Sequence, residues 1–360
     1  MEERGHDRAF FIMREAIITI FIPHDGCPYR CSFCNQWKLT AQTDRTTPAM
    51  VAKTIAEYLA STTRPYRWQV AFYGGSFTAL SEERQRALIA PAKYAWEKGD
   101  VSALRLSTRP DCISVENTAF LYAHGVRTVE LGVQSLDDNV LWQARRGHRS
   151  AVVAKAIEIL RRGGMQVGIQ LLPGLYGETF ATLRKTIRAT VALTPDFVRI
   201  YPALVLRDTL LERQYRNGDY QPLTLAQAIL VGAWWRRYLA KHNIPVIRIG
   251  LQATQDLDSH AAYVAGPYHP ALGELAIARS YAQELKKGFR QARGPVTITY
   301  STRDASKVRG HKNANVKKYQ EKYAGPITWR ESVDMPPGTV SFTTATQTYQ
   351  WRLESPLYCQ

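Results

Sequence analysis

Three cysteines stand within eight positions of this chain, in Gly26-Cys27-Pro28-Tyr29-Arg30-Cys31-Ser32-Phe33-Cys34. With three residues and then two between them, one short loop can turn all three thiolates toward a common point. Iron–sulfur clusters take soft thiolate ligands, usually four. Three leave one iron of a [4Fe-4S] cluster open, and the amino and carboxylate groups of S-adenosylmethionine suit that position. One electron into such a cluster can break a sulfur–carbon bond and give a 5′-deoxyadenosyl radical, with the protein positioning the cofactor and keeping water out. Two other readings stay open: the three thiols with His24 as a tetrahedral zinc site, although zinc motifs usually show two separated pairs, and an inert cysteine cluster. A disulfide framework would spread its cysteines more evenly than the five found here. Cys112 and Cys359 are isolated in sequence and read as structural.

Further chemistry-bearing residues follow apolar runs. Gly74, Gly75 and Ser76 close one run, where glycines let the backbone approach a ligand or simply turn. Arg109 and Asp111 follow the next. Gln134 and Ser135 could hydrogen-bond a ribose or a substrate, or be satisfied polar packing. Arg146 and His148 could meet an anion, since an Arg fork suits carboxylate or phosphate, or lie in a polar surface loop.

The elements that must position these residues show as periodicity. Strands are predicted at Ala16–Ile22, Trp68–Tyr73, Ala103–Leu106, Thr128–Leu131, Val167–Leu171 and Phe197–Tyr201. Helices with an apolar stripe are predicted at Met50–Ala60, Glu82–Lys98, Ser114–His124, Ala151–Gly163 and Glu178–Thr194. Val-, Ile- and Leu-rich strands alternating with helices suit a parallel sheet covered by helices. Six such units make an α/β fold, a partial (β/α)6 TIM-like barrel over residues 16–250, after an N-terminal segment 1–15. The motifs fall at the carboxyl ends of the strands, where barrels carry their chemistry. A helix is predicted over Leu223–His242 and a strand over Ile244–Ile249. Residues 251–360 then form a small α+β C-terminal extension: Gln252–Gly273 loop-like, Gly273–Lys287 a helix, and strands at Val296–Tyr300, Ile327–Trp329, Thr339–Thr343 and Tyr349–Leu353.

Taken in order, the motifs resemble the radical-SAM superfamily, and within it the radical-SAM domain of the Elongator catalytic subunit and its bacterial relatives. The resemblance rests on the cysteine triad with Phe33 before its third member and on Phe72–Thr78, Ser107–Asp111 and Glu130–Ser135. It continues through Arg146-Gly147-His148, Leu172–Leu175 and Arg199–Val205, spanning about Ile17 to Leu223. It implies a [4Fe-4S] cluster on Cys27, Cys31 and Cys34, with S-adenosylmethionine as the second cofactor. It further implies that Phe33 packs beside the adenine, that Gly74, Gly75 and Ser76 meet the methionine amino group, and that Tyr201 and the Ile200 backbone contact adenine. Arg109, Gln134, Ser135 and Arg199 are cofactor-binding candidates on the same ground. The family usually has Glu where Ser107 stands and often Lys where Arg199 stands. An external low-potential donor, ferredoxin or flavodoxin, is implied as well.

The chain has 360 residues and a formal charge of +16, which suits a polyanion such as RNA or a surface merely biased toward Lys and Arg. Residues 286–330 carry twelve Lys and Arg against Asp304 and Glu321, with Tyr300, Tyr319, Tyr323 and Trp329 among them. The segment Gly266–Glu274, with His269 and Glu274, reads either as a source of substrate contacts or as a rigid Pro-bounded linker. No apolar run is long enough to span a bilayer and the N-terminus does not read as a secretory signal, so a cytoplasmic protein is expected. The resemblance implies tRNA modification, although no acetyltransferase pattern follows the barrel. A porphyrinogen oxidase-like reaction on a small molecule and a non-enzymatic RNA-binding protein with a structural metal site are the alternatives.

Overall fold

The computed structural model describes residues 14–40, 44–64 and 66–352. In chain order its first nine strands are β1 (Arg14–Ile22), β2 (Tyr66–Gly74), β3 (Ala103–Thr108), β4 (Val126–Gln134), β5 (Gln166–Leu171), β6 (Phe197–Ile200), β7 (Val205–Leu206), β8 (Val246–Ile249) and β9 (Tyr263–Ala265). All except β7 and β9 form one parallel sheet in sequence order, curled into a half-barrel. The six expected units thus gain a seventh strand. The predicted strand Ile244–Ile249 pairs only from Val246, because Pro245 has no N–H to give the ladder; its carbonyl accepts from Val198 instead (2.9 Å).

Alternation along the strands divides the sheet into two faces. Ile18, Ile20, Phe72, Leu104, Leu106, Val129, Leu131, Ile169 and Val198 point outward and are buried against the surrounding helices, with Val51, Ile55, Leu88 and Ile89 among their partners. Full burial of one such side chain contributes about 1.5–3 kcal/mol. The residues between them point into the half-barrel and are largely polar: Tyr73, Arg105, Ser107, Glu130, Gln170 and Arg199. The strands are therefore not apolar on both faces.

The helix predicted from Glu178 begins at Phe180, because Thr179 is its cap and shares a capping box with Thr182. Glu178 instead folds back and accepts the Gly174 N–H. The stretch Gln252–Gly273, expected as loop, holds a short helix, Gln255–Asp258, and β9, which pairs antiparallel with β7. Leu257, Ala262 and Tyr263 pack with Leu204 and Leu206, and that apolar contact draws the segment back onto the barrel.

In the extension the helix Leu272–Gln291 packs on the helix Leu225–Ala240 and precedes the strands. These are β10 (Val296–Ser301), β11 (Ile327–Ser332), β12 (Thr339–Thr344) and β13 (Thr348–Arg352), in the order β11-β10-β12-β13. Leu353 and Cys359 lie outside the described residues, as do residues 1–13. Because β10 and β11 are parallel, the chain must cross over between them. The helices Ala305–Arg309 and Ala314–Lys322, absent from the sequence reading, make that crossing. Among the described residues no helix is long and apolar enough to cross a membrane.

Buried Asp304 ties the extension together. It accepts the Gly338 N–H (2.6 Å), pairs with Lys307 (3.2 Å), bonds the Tyr281 hydroxyl and offsets the charge of buried Arg236. Asp304→Ala leaves the Gly338 N–H without this acceptor and Arg236 without this opposing charge. It is expected to cost about 3–5 kcal/mol, read as a fall in denaturation midpoint.

Candidate active site

The cysteine loop leaves β1 at Pro23 and turns through His24 (φ 55°) and Gly26 (φ 73°). A Cβ at Gly26 would lie 2.4 Å from the Ser76 carbonyl, so only glycine allows this approach. Gly75 is tighter still, since its Cβ would lie 1.9 Å from the Asp25 carbonyl. The close approach that Gly75 permits is thus to the chain's own loop, sealed by Gly75 N–H to Ile22 O (2.9 Å) and Ser76 N–H to Asp25 O (2.8 Å). Asp25 also pairs with Arg45 (2.5 Å) and Arg84 (3.1 Å). Those bonds overcome burial and hold its carboxyl below the usual range. On the other side, Ser32 N–H reaches Ala144 O (3.0 Å) and Leu211 N–H reaches Ser32 O (2.8 Å).

His24 and Gln36 clamp the ends of this loop. The Gln36 N–H donates to His24 Nε2 (2.8 Å), the His24 N–H donates to Gln36 Oε1, and Gln36 Nε2 donates to the Gly74 carbonyl. The Nε2 lone pair is engaged by that N–H, and burial and the charge of Arg30 lower the His24 pKa. That lone pair is not free for a metal. Among the described residues no three His, Cys, Asp or Glu side chains converge on one ion position. A tetrahedral zinc site on His24 and the triad would need that bond to Gln36 broken, whereas a cluster sets each thiolate on a different iron.

Cys27, Cys31 and Cys34 line one cavity. Burial, with the charge of Cys31, raises the Cys27 thiol to about 11 and pushes Cys34 up as well, while Arg146 acts in the opposite direction on both. Arg146 donates from Nη1 to Cys31 Sγ (3.1 Å) and from Nη2 to the Gly132 carbonyl. Arg109 is paired twice with Asp111 (3.0 and 2.9 Å) and stacks over Tyr29 at 4.9 Å. Cys112, isolated in sequence, is close in space: it bonds Ser76 and Arg109 and its charge bears on Cys27.

Beneath the cavity, Glu130 is wholly buried. It accepts from Tyr73 OH (2.7 Å), Arg105 Nη2 (2.6 Å) and Gln170 Nε2 (2.9 Å) and forms an ion pair with Arg199 Nε (2.8 Å). Burial disfavours its charge, but Arg199 and Arg105 outweigh burial and hold the carboxyl below its ordinary range. Arg199 also reaches Tyr201 OH (3.4 Å).

Of the residues read from the sequence, Phe33, Gly74, Gly75, Arg109, Gln134 and Tyr201 line the cavity with the triad. Gln134 sits in the left-handed region (φ 70°), and its buried Oε1 has no partner. Three others stand behind the wall. Ser76 Oγ bonds Thr108 Oγ1 (2.9 Å), Ser135 Oγ bonds Thr186 Oγ1 (3.2 Å), and Arg199 belongs to the Glu130 network. His148 turns toward the Arg149 carbonyl (3.2 Å). His269 Nδ1 accepts the Ala271 N–H (3.0 Å), and Glu274 is exposed in the first turn of its helix. The sequence reading gave no role to Gln36, Tyr29, Glu130, Tyr73, Arg105 or Gln170, nor to Leu39, Leu172 and Leu251 on the lining. The period-two alternation in β4, Val129 and Leu131 against Glu130 and Gly132, was the signal for the inner row.

The family description "Radical SAM superfamily" matches residues 21–190, and "Radical_SAM C-terminal domain" matches residues 195–284. The chain belongs to the radical SAM superfamily. It is 29% identical over 232 residues to the tRNA uridine(34) acetyltransferase of Methanocaldococcus infernus, covering 63% of this chain and 41% of that protein. It is 26% identical over 230 residues to human Elongator complex protein 3, covering 60% and 39%. The chain therefore spans less than half the length of these relatives. Among solved structures it resembles M. infernus Elp3 lacking its N-terminus, with a TM-score of 0.59 and 24% identity, over 77% of this chain and 64% of that one; this shows the fold. The chain is an enzyme of this superfamily, whose members use a [4Fe-4S] cluster and S-adenosylmethionine. Three thiols on one cavity, a guanidinium on one sulfur and the unpartnered Gln134 Oε1 fit those two groups.

Two expectations follow. Arg146→Met removes the bond to Cys31 and a positive charge beside the thiols; lower iron content after reconstitution and a more negative midpoint potential are expected, measured by iron assay and redox titration. Burial and the charge of Asp137 raise Glu178 to about 8, against N–H bonds from Gly174 and Leu175. Unfolded, it titrates near 4.3. Between those values the unfolded chain binds fewer protons than the folded one, so stability falls as pH rises and levels off above the upper value. Glu178→Gln removes that slope, about 1.4 kcal/mol for each pH step of one between the two values, and denaturation series at low and high pH check it.

Proposed function

We propose that Cys27, Cys31 and Cys34 hold the cluster and that this enzyme reductively cleaves S-adenosylmethionine to act on RNA, with tRNA as the substrate class. The observation that carries the reading is the triad on the wall of a cavity, with Arg146 donating to Cys31. When bound, the two cofactors supply a carbon-centred radical able to take hydrogen from an unreactive carbon. The chain's own residues bind, orient and shield.

The ends of β2 and β4 supply polar contacts. Gly74 and Gly75, lining the cavity without side chains, leave room for the methionine end, and the free Gln134 Oε1 accepts from the cofactor or substrate. Phe33 and Tyr201 give flat surfaces for adenine, with Tyr201 steadied by Arg199. Ser76 and Ser135 act through neighbours, by fixing Thr108 and Thr186. Leu39, Leu172, Leu204, Leu206 and Leu251 make much of the lining apolar, which keeps water from the reacting carbon. The electron comes from a low-potential donor of the ferredoxin or flavodoxin kind. RNA as substrate is supported by relatives named for tRNA uridine(34) and by the +16 charge.

Anaerobic reconstitution with iron and sulfide, followed by S-adenosylmethionine and dithionite, tests the chemistry. Wild type should form 5′-deoxyadenosine, and Cys31→Ala should fall to background. Protein that takes up zinc but no cluster would sink the reading. For the substrate, tRNA incubated with the active enzyme is digested and its nucleosides weighed. A new nucleoside mass absent with Cys31→Ala is expected, and unchanged tRNA beside active cleavage would exclude tRNA as the substrate.

A further inference from the structure

Two helices of the extension run side by side. Asn315 Nδ2 donates to Ala278 O (3.4 Å) and Tyr319 OH to Ala282 O (3.2 Å). The Phe289 ring stacks on Tyr319 at 4.1 Å and meets Tyr323 at 5.1 Å. The contacts advance together along both chains, so Leu272–Gln291 and Ala314–Lys322 lie parallel. Arg279, Lys286 and Arg290, seven and four residues apart, share one face of the first helix. Lys318 and Lys322, four apart, share one face of the second.

Among the described residues none of these five cations has an ion-pair partner. Acids were available one face away: Glu284 takes both Arg237 (2.6 Å) and Lys287 (2.8 Å). Lys318 is held below its ordinary pKa, first by partial burial and then by the charges of Arg279, Lys322 and Lys286, which places those cations within reach of one another. Crowding like charges destabilises a fold unless a polyanion neutralises them. Stable attachment to an anionic membrane usually adds inserted apolar side chains or a lipid to a basic patch. Here Tyr319 and Phe289 pack between the helices, and neither helix contributes to the exposed large apolar residues. A phosphate backbone needs only the charges. The extension also meets the loop bordering the cavity, where the His269 and His311 rings lie 6.1 Å apart and Gly266 packs on Ala203 and Leu204.

We propose that Arg279, Lys286, Arg290, Lys318 and Lys322 form a docking surface for the phosphate backbone of RNA. The surface rests on the reading of RNA as substrate. It lies largely beyond residue 284, where the family match ends.

The test uses the full, reconstituted chain and bulk tRNA in filter binding between about 50 and 200 mM salt. The variant Arg279→Gln/Lys286→Gln/Lys318→Gln/Lys322→Gln is compared with Lys155→Gln/Arg184→Gln/Arg188→Gln/Lys241→Gln, which removes equal charge from exposed positions of the barrel. The first should weaken binding roughly tenfold or more and flatten the log–log salt slope by about one for each phosphate no longer neutralised. The second should change affinity less than about twofold, and 5′-deoxyadenosine formation without RNA should be the same in both. Where the fourfold variant fails to fold, Lys286→Gln/Lys322→Gln, at two exposed positions, should show a smaller loss of affinity in the same direction. Equal losses in both fourfold variants, or none in the first, would overturn the surface and leave tRNA as substrate. No wild-type binding even at the lowest salt would remove both readings. Binding to phosphatidylserine vesicles that the first variant abolishes, with tRNA affinity unchanged, would assign the face to a membrane instead.

Discussion

One buried carboxylate organises the inner face of the half-barrel. Glu130 on β4 binds Tyr73 from β2, Arg105 from β3, Gln170 from β5 and Arg199 from β6. Burying such a set is expensive, and removing one member would leave charge without compensation. One carboxylate against two guanidiniums also leaves a net positive charge beneath the cavity. Arg146 adds another at the level of the thiols. A cavity with cations below and beside it favours bound anions, thiolates included. The same network reaches the lining through Gln170 and through Tyr201, which Arg199 steadies. The floor therefore positions the wall.

The cysteine loop is fixed by backbone more than by side chains. Gly75 lets β2 press against Asp25, Gln36 closes the loop onto His24 and Gly74, and Ser32 is bonded on both sides. Each contact joins segments far apart in sequence, so the loop takes shape only when the sheet has formed. Burial without metal pushes the Cys27 and Cys34 thiols up. Binding a metal centre must therefore release protons, which couples assembly of the site to its cofactor.

The extension solves a different problem. Its parallel pair β10 and β11 demands a crossover, and the chain fills that crossover with short helices rich in lysine. Their apolar side, with Val308 and Tyr319, joins the core of Tyr281, Leu285, Ile298 and Phe342. The charged side is left facing solvent beside the basic stripe of Leu272–Gln291. Packing and charge are thus separated across the same helices.

Much of this was legible in the residues themselves. Short-range pattern determined the parallel strands, most of the helices around them and the strands of the extension, because periodicity is local and burial follows it. The triad spacing and the order of motifs at strand ends pointed to the superfamily, because each motif is a short contiguous run. Tertiary structure decided what depends on contacts between distant segments. It gave His24 Nε2 to Gln36 and brought Cys112 beside Ser76. Ser76, Ser135 and Arg199 moved behind the wall, while Gln134 was left with a buried, unpartnered oxygen inside it. Each outcome turns on which side chains meet when the sheet curls, and register and curvature are properties of the assembled strands, not of any one of them.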